Sequence, residues 1–343
     1  MPLLVAPVAD QPGREAAAVD ETTPGARAPA TTLLTQGNRV VLGPGVVRIH
    51  DHPGERQLPE HPVHRGPTGL GQMQPQEPIG DDHALGRRYR GHCMRSSNLP
   101  GFLGLGAQKA GTTTLQMLLA SHPQVFLPDC KEVHYFSLHY ARGLKWYQSH
   151  YLEAPEGSLA GDITPYYLFH PEAPLRIHGL LPEAKLIILL RDPVERSLSQ
   201  YFHSVRLGLE HLPLEEAFVA EQSRLQGSEK ALQPATGWHR SHQEHSYLAR
   251  SRYEVQLDRY RKLFDSDQIL ILRSEDLFHD TQKPWSCLIE FLGLDPCPLP
   301  QRNTRSNSGA GEASGVSLEF RQKLRLSLAT TYQRMASDYG IAW

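Results

Sequence analysis

Gly104-Leu105-Gly106-Ala107-Gln108-Lys109-Ala110-Gly111-Thr112-Thr113-Thr114-Leu115 is the stretch that decides how this 343-residue chain is read. It follows the short apolar run Gly101–Gly106, which reads as a buried strand. It opens a run with Leu115, Leu118 and Leu119 on one face, which predicts a helix over 112–121. Glycine lets backbone approach an anion closely and turn its N–H groups inward. The helix N-terminus adds unpaired donors and partial positive charge. Thr112 and Thr113 bring hydroxyl groups, and Lys109 brings a full charge. The loop departs from the Walker A pattern, in which lysine directly follows the second glycine. Thr112 stands there, after Gly111, and Lys109 lies inside the loop. That shift moves the charge from the far end of a triphosphate to the mouth of the loop. There it meets a 5′-phosphate and the oxygen bridging it to a transferred group. The sequence also has no strand ending in a clear Walker B aspartate, so no metal site is expected.

Outward from the loop, strands alternate with helices. Lys185–Leu190 (KLIILL) is apolar on both faces, as a central parallel strand must be. A helix over 193–207 follows, with Asp192 suited to its N-cap and Pro193 to its first turn. Further helices are expected over 214–225, 247–264, 281–292 and 317–336, and a third strand at Gln268–Leu272. The fold class is therefore α/β: a P-loop-like central parallel sheet flanked by helices. Ligands of such sheets bind beyond the carboxyl ends of the strands.

Residues 99–343 form the domain, and residues 1–98 are expected to be a mostly disordered N-terminal extension. Of 10 Phe, 13 Tyr and 4 Trp, only Tyr89 precedes residue 99, so that stretch cannot bury enough apolar surface to offset its ordering entropy. A transient hairpin around Gly43-Pro44-Gly45, within Arg39–Ile49, is the exception allowed, and a translation start at Met94 is an alternative beginning. Arg87-Arg88-Tyr89-Arg90 reads as a solvated linker. A net charge of −2 gives no overall pull toward nucleic acid or an anionic membrane. The four cysteines show no metal spacing and read as free thiols. With no apolar run of about 18–20 residues and no secretory leader, a cytoplasmic protein is expected.

GAQKAGTTTL resembles the 5′-phosphosulfate loop of sulfotransferases that use 3′-phosphoadenosine-5′-phosphosulfate (PAPS). The resemblance continues through Lys131-Glu132-Val133-His134-Tyr135-Phe136 and through Leu190-Arg191-Asp192-Pro193-Val194-Glu195-Arg196-Ser197-Leu198-Ser199-Gln200-Tyr201. These strings are most similar to the heparan sulfate sulfotransferase branch and its bacterial relatives. The resemblance implies that Gln108, Lys109, Ala110, Gly111, Thr112 and Thr113 bind PAPS, leaving PAP as product. Arg191 at the strand end and Ser199 on the following helix can converge on one phosphate, and a guanidinium fits phosphate bidentately. In the family this pair holds the 3′-phosphate. The resemblance also implies Glu132 as general base, with His134 and Asp162 as rivals. Lys131, His134, Asp162 and Tyr166 are candidate contacts to the acceptor. That acceptor is a hydroxyl or amine, with a carbohydrate among the candidates. Gly161-Asp162-Ile163-Thr164-Pro165-Tyr166-Tyr167 departs from the family pattern, with Ile163 where that branch carries lysine. The loss removes a positive charge and weakens the case for a glycosaminoglycan.

Other features are read more plainly. Arg196 is expected to form a helix ion pair. Arg250, Arg252 and Tyr253 are candidates to line the cleft, and Arg305, in a loop over 301–309, to touch the nucleotide. His239, His242 and His245 read as a polar loop beside the cleft. Two rivals stand beside the sulfotransferase reading: a P-loop kinase or NTPase, and a PAP- or PAPS-binding protein without catalysis.

Overall fold

Six strands form one sheet in the order β1-β6-β5-β2-β4-β3. They are β1 Val46–Arg48, β2 Phe102–Gly106, β3 Val125–Phe126, β4 Leu159–Ile163, β5 Lys185–Leu190 and β6 Ile269–Arg273. Strands β2 to β6 run parallel, and β1 pairs antiparallel with β6. The computed structural model describes residues 98–300 and 310–343, together with the backbone of β1. The expectations for Arg87–Arg90, Met94, Arg305 and the disorder of the extension outside β1 lie beyond the described residues. Val46–Arg48 falls inside the expected hairpin, but its partner strand is β6.

Residues Leu186 to Leu190 have no solvent exposure, and their neighbours β2 and β6 are buried along nearly their whole length. Burial on both faces is why KLIILL carries no polar alternation. Helices cover the sheet, among them Thr112–Ala120, Pro193–Arg206, Tyr253–Arg261 and Gln282–Leu292. The helix expected over 247–264 splits into a 3-10 turn, Ala249–Ser251, and the α-helix Tyr253–Arg261. The C-terminal helix breaks at Leu328 into Leu318–Ser327 and Ala329–Tyr339. Strands β3 and β4 are additions to the sequence reading: β3 has two residues, and β4 (LAGDI) mixes Gly and Asp into an otherwise apolar run.

Strand order sets where a ligand can bind. The chain leaves β2 toward β3 at one edge, and leaves β5 toward β6 on the other side. The two strands are adjacent, so their outgoing loops separate and open a crevice at their carboxyl ends, the usual binding point of an open α/β sheet. The Gly106–Gly111 loop follows β2, and Arg191-Asp192 follows β5.

A second apolar cluster packs Val194, Leu198 and Tyr201 of the Pro193–Arg206 helix against Phe218, Tyr247, Phe320 and Leu324. Glu210 ties it together. Its buried carboxylate accepts from Arg224 at 2.5 and 3.1 Å, from the Tyr247 hydroxyl at 2.7 Å and from two backbone N–H groups at 2.9 Å. Burial alone raises this carboxyl, but the bond to Arg224, the Leu212 N–H and the Tyr247 hydroxyl outweigh it and hold it at about 2. The resulting stability is present above the ordinary glutamate value of 4.5 and is lost as pH falls through about 2. Glu210→Gln should cost about 3 kcal/mol in urea unfolding at pH 7, the scale of a broken buried pair. That difference should shrink on acidification below pH 4.5.

Candidate active site

Gly106 and Gly111 bracket the loop with φ of 141° and 98°. A Cβ on Gly106 would meet the Pro165 carbonyl oxygen at 2.7 Å, and one on Gly111 would meet the Phe278 ring at 2.7 Å. The loop is pinned from behind. Ala107 N–H donates to Leu189 O at 2.6 Å, the Ser274 hydroxyl donates to Ala110 O, and Arg250 donates to the Gln108 side-chain oxygen. The backbone N–H groups of Gln108, Lys109, Gly111, Thr112 and Thr113 have no acceptor among the described residues. They form the set of donors an anion would complete.

Among the described residues, three non-glycine residues adopt positive φ: Lys109 (70°), Glu132 (62°) and His134 (56°). All three lie at this crevice. Such a conformation costs about 1–3 kcal/mol per residue, so surrounding contacts must enforce it. Lys109 is half-buried and forms no ion pair among the described residues. Burial, and then the charges of Arg206, Arg191, Arg196 and Lys131, lower its ammonium group to about 8. Arg191 reaches the loop, donating to Lys109 O at 3.4 Å, and its own carbonyl accepts from the Tyr253 hydroxyl at 2.9 Å. Ser199 is buried on the facing helix, and its hydroxyl has no partner among the described residues. Asp192 caps that helix as expected, accepting from Glu195 N–H at 2.9 Å.

The KEVHYF segment alternates. Val133, Tyr135 and Phe136 are buried, and Tyr135 stacks on Tyr147 with centroids 4.3 Å apart. Glu132 and His134 stay partly exposed, with Glu132 Oε2 3.4 Å from His134 Nε2 and Oε1 3.5 Å from Lys131 Nζ. Lys131 Nζ donates to Thr113 Oγ1 at 2.7 Å, which joins this segment to the first turn of the loop helix. Burial raises the Glu132 carboxyl, but the bond to His134 and the charges of His134 and Lys131 prevail and hold it below the ordinary value.

Several expectations are corrected. Asp162 is 1% exposed, and its oxygens accept from Thr164, Tyr167 and Tyr147 at 2.7, 2.8 and 3.0 Å. Its burial and its three hydroxyl partners favour a bracing position over contact with an acceptor or the role of base. Tyr166 is 4% exposed, with its hydroxyl 2.8 Å from His242 Nδ1 and its ring under Arg250, so it also lies behind the cleft. Arg250 and Tyr253 brace the loop and Arg191 from the interior instead of lining the cleft, and Arg252 is exposed. Arg196 forms no ion pair among the described residues; its fully buried guanidinium serves Ser251, Gln200 and Tyr247 O. The three histidines belong to a short helix, Arg240–Glu244, and its ends. His239 caps that helix, His242 stacks on Phe169, and His245 Nε2 lies 3.0 Å from Leu209 O. Sequence reading passed over Arg206 as a neighbour of Lys109. It lies seven residues beyond Ser199, the same helical face, which was the available signal.

A family model described as the sulfotransferase domain matches residues 101–306. This chain belongs to the sulfotransferase family. It is 31% identical over 267 residues to the membrane-associated sulfotransferase kil1 of Dictyostelium discoideum, covering 57% of this chain and 56% of that protein. It is 32% identical over 196 residues to heparan sulfate glucosamine 3-O-sulfotransferase 6 of Mus musculus, covering 57% and 52%. The chain thus spans about half the length of the curated relatives it matches. A sulfotransferase structure from Alicyclobacillus acidocaldarius shares the fold, with a TM-score of 0.60 and 24% identity over 71% of this chain and 97% of that one. Among the described residues no helix is long and apolar enough to cross a membrane, and no group of three or more His, Cys, Asp or Glu side chains could hold a metal ion.

Gly111→Ala tests the loop's backbone requirement. It should lower stability by about 1–3 kcal/mol in urea unfolding, because alanine must take φ near 98° against the Phe278 ring.

Proposed function

We propose that residues 99–343 form an enzyme that transfers a sulfuryl group from PAPS to a hydroxyl or amine, with Glu132 as base and PAP as product. The observation that carries this reading is the loop itself: unpartnered amides, Lys109 and Arg191 at one crevice, with Glu132 tied to the same loop helix through Lys131 and Thr113. PAPS, when bound, supplies a sulfur atom bonded to a phosphate oxygen that can leave. Lys109 and the loop amides face the charge that develops on that oxygen, and preorganised donors of this kind contribute most where water is excluded. Arg191 and Ser199 take the 3′-phosphate, which separates PAPS from ATP. Glu132, ionised at neutral pH, accepts the acceptor's proton as its oxygen or nitrogen attacks sulfur in line. The positive charge in this reading comes from side chains and amides, without a metal ion.

A carbohydrate is the proposed acceptor class, supported by the relative whose name gives a glucosamine hydroxyl of heparan sulfate. Ile163 leaves the family's lysine charge missing, while Lys131 and Arg206 keep the surroundings of Lys109 and Glu132 positive. Cys130 and Cys297 are free thiols, which supports a reducing, cytoplasmic setting. Residues 1–98 are proposed to be an extension outside this chemistry.

Three measurements test the reading. PAP at about 100 times its dissociation constant should stabilise the fold by about 2.7 kcal/mol in a thermal melt, whereas ATP alone shifting the melt would point to a kinase. Arg191→Ala should weaken PAP binding by about 2–4 kcal/mol in calorimetry. PAP affinity should also fall as pH rises through about 8, where Lys109 loses its proton, and Lys109→Ala should flatten that limb and abolish transfer from labelled PAPS.

A further inference from the structure

The residue proposed as base sits in a segment with two strained backbone positions. Glu132 and His134 both carry positive φ, and each side chain would relax toward ordinary backbone if nothing outside the segment opposed it. Core packing of Val133, Tyr135 and Phe136 and the Arg176 bonds to Phe136 O and Ser137 O hold the rest of the segment, and residues 131–134 have two described hydrogen bonds to distant parts of the chain. One is Lys131 to Thr113, through a side chain that is 41% exposed. The other is buried. His134 N–H donates to Thr164 Oγ1 at 3.4 Å, and the same hydroxyl donates to Asp162 Oδ1 at 2.7 Å. The second Asp162 oxygen accepts from Tyr147 and Tyr167 at 3.0 and 2.8 Å.

The direction of this chain is fixed by its chemistry. A threonine hydroxyl has one proton, and here the proton points to Asp162, so a lone pair is left facing the His134 amide. The carboxylate accepts from three hydroxyls and holds each in place. Thr164 is 0% exposed, so no water competes for its oxygen. The far end of the chain reaches the base, because the His134 ring lies 3.4 Å from Glu132. The His134 ring also meets Ser137 Oγ at 3.2 Å and the edges of the His139 and Tyr166 rings, but these contacts do not fix its backbone N–H.

We propose that Thr164 and Asp162 are positioning residues for the base. They hold the His134 backbone in the left-handed conformation from which its ring engages Glu132, although neither touches donor or acceptor. The inference rests on the reading of Glu132 as base. It gives the buried Asp162 carboxylate a purpose that the transfer chemistry leaves open.

The titration arm of the test needs no acceptor. Thr164→Val removes the hydroxyl at nearly constant volume, and Thr164→Ser keeps it. The chain is labelled with 13C at glutamate carboxyls, and the Glu132 signal is assigned by its loss in Glu132→Gln. Lys131 and His134 face Glu132 directly, with His203 and Arg250 at longer range, and neither variant substitutes any of the four. In Thr164→Val, Glu132 loses His134 while burial remains, so its titration midpoint should rise by about 1 pH unit. In Thr164→Ser it should stay at the wild-type value. PAP affinity should remain within about twofold in both variants. A Thr164→Val chain that binds PAP normally with an unmoved Glu132 midpoint overturns the proposal. Should that variant not fold, hydrogen exchange on the wild-type chain decides. The His134 amide should be protected like strand amides, and exchange as fast as an open loop overturns the tether. Glu132→Gln with transfer intact would instead remove the base reading while leaving the tether standing.

Discussion

Lys109 is held half out of water among Arg206, Arg191 and Arg196, and no carboxylate pairs with it among the described residues. Its charge is therefore costly where it stands, which is why burial and like charges lower its proton affinity to about 8. The loop amides repeat the situation with partial charges, since several point into the crevice without an acceptor. An anion relieves both at once. The placement of Arg191, the fixing of the loop by Ser274 and Arg250, and the glycines at φ 141° and 98° all serve to keep this unbalanced positive crevice from collapsing on itself.

The Glu132 side is organised by the opposite device. Glu132 is surrounded by partners, and the cost lies in the backbone that presents it. Val133, Tyr135 and Phe136 anchor the segment in the core while Glu132 and His134 are turned outward. Asp162 contributes from beneath, where a buried carboxylate with three hydroxyl donors is rigid because its donors are. The fully buried carboxylate, Asp162, is thus held among hydroxyl donors, while the partly exposed one beside Lys131, Glu132, opens to the crevice.

Buried guanidinium groups hold the layer behind the crevice. Arg196 and Arg250 are nearly without solvent exposure, and burial lowers each to about 10. Apart from Arg250 Nε, which has no hydrogen-bond partner among the described residues, their N–H groups donate to carbonyls, a hydroxyl and side-chain amides, both on nearby turns and on segments far along the chain. Arg250 also lies over the Tyr166 and Phe169 rings at 5.1 and 5.0 Å. Their planar forks cross-link the Pro193–Arg206 helix and the Tyr247–Ser251 turn, and so keep Arg191 and the phosphate loop in register.

Some parts of the fold and site follow from local pattern in the chain. The Gly106–Gly111 loop, the apolar KLIILL strand, the Asp192 cap and the motif carrying Glu132 were legible because each is set by neighbours within a few residues. Which polar residues face the crevice depends instead on packing between distant segments. Asp162, Tyr166, Arg196 and Arg250 have side chains that read as reactive or exposed, yet partners 50 to 140 residues away draw most of them inward. The short strands β3 and β4 were missed for the same reason: two residues, or a run holding Gly and Asp, become strand only when β2 lies alongside to pair with β4 and β4 with β3. Burial and hydrogen-bond partnership are properties of contact between distant segments, and no local pattern encodes them.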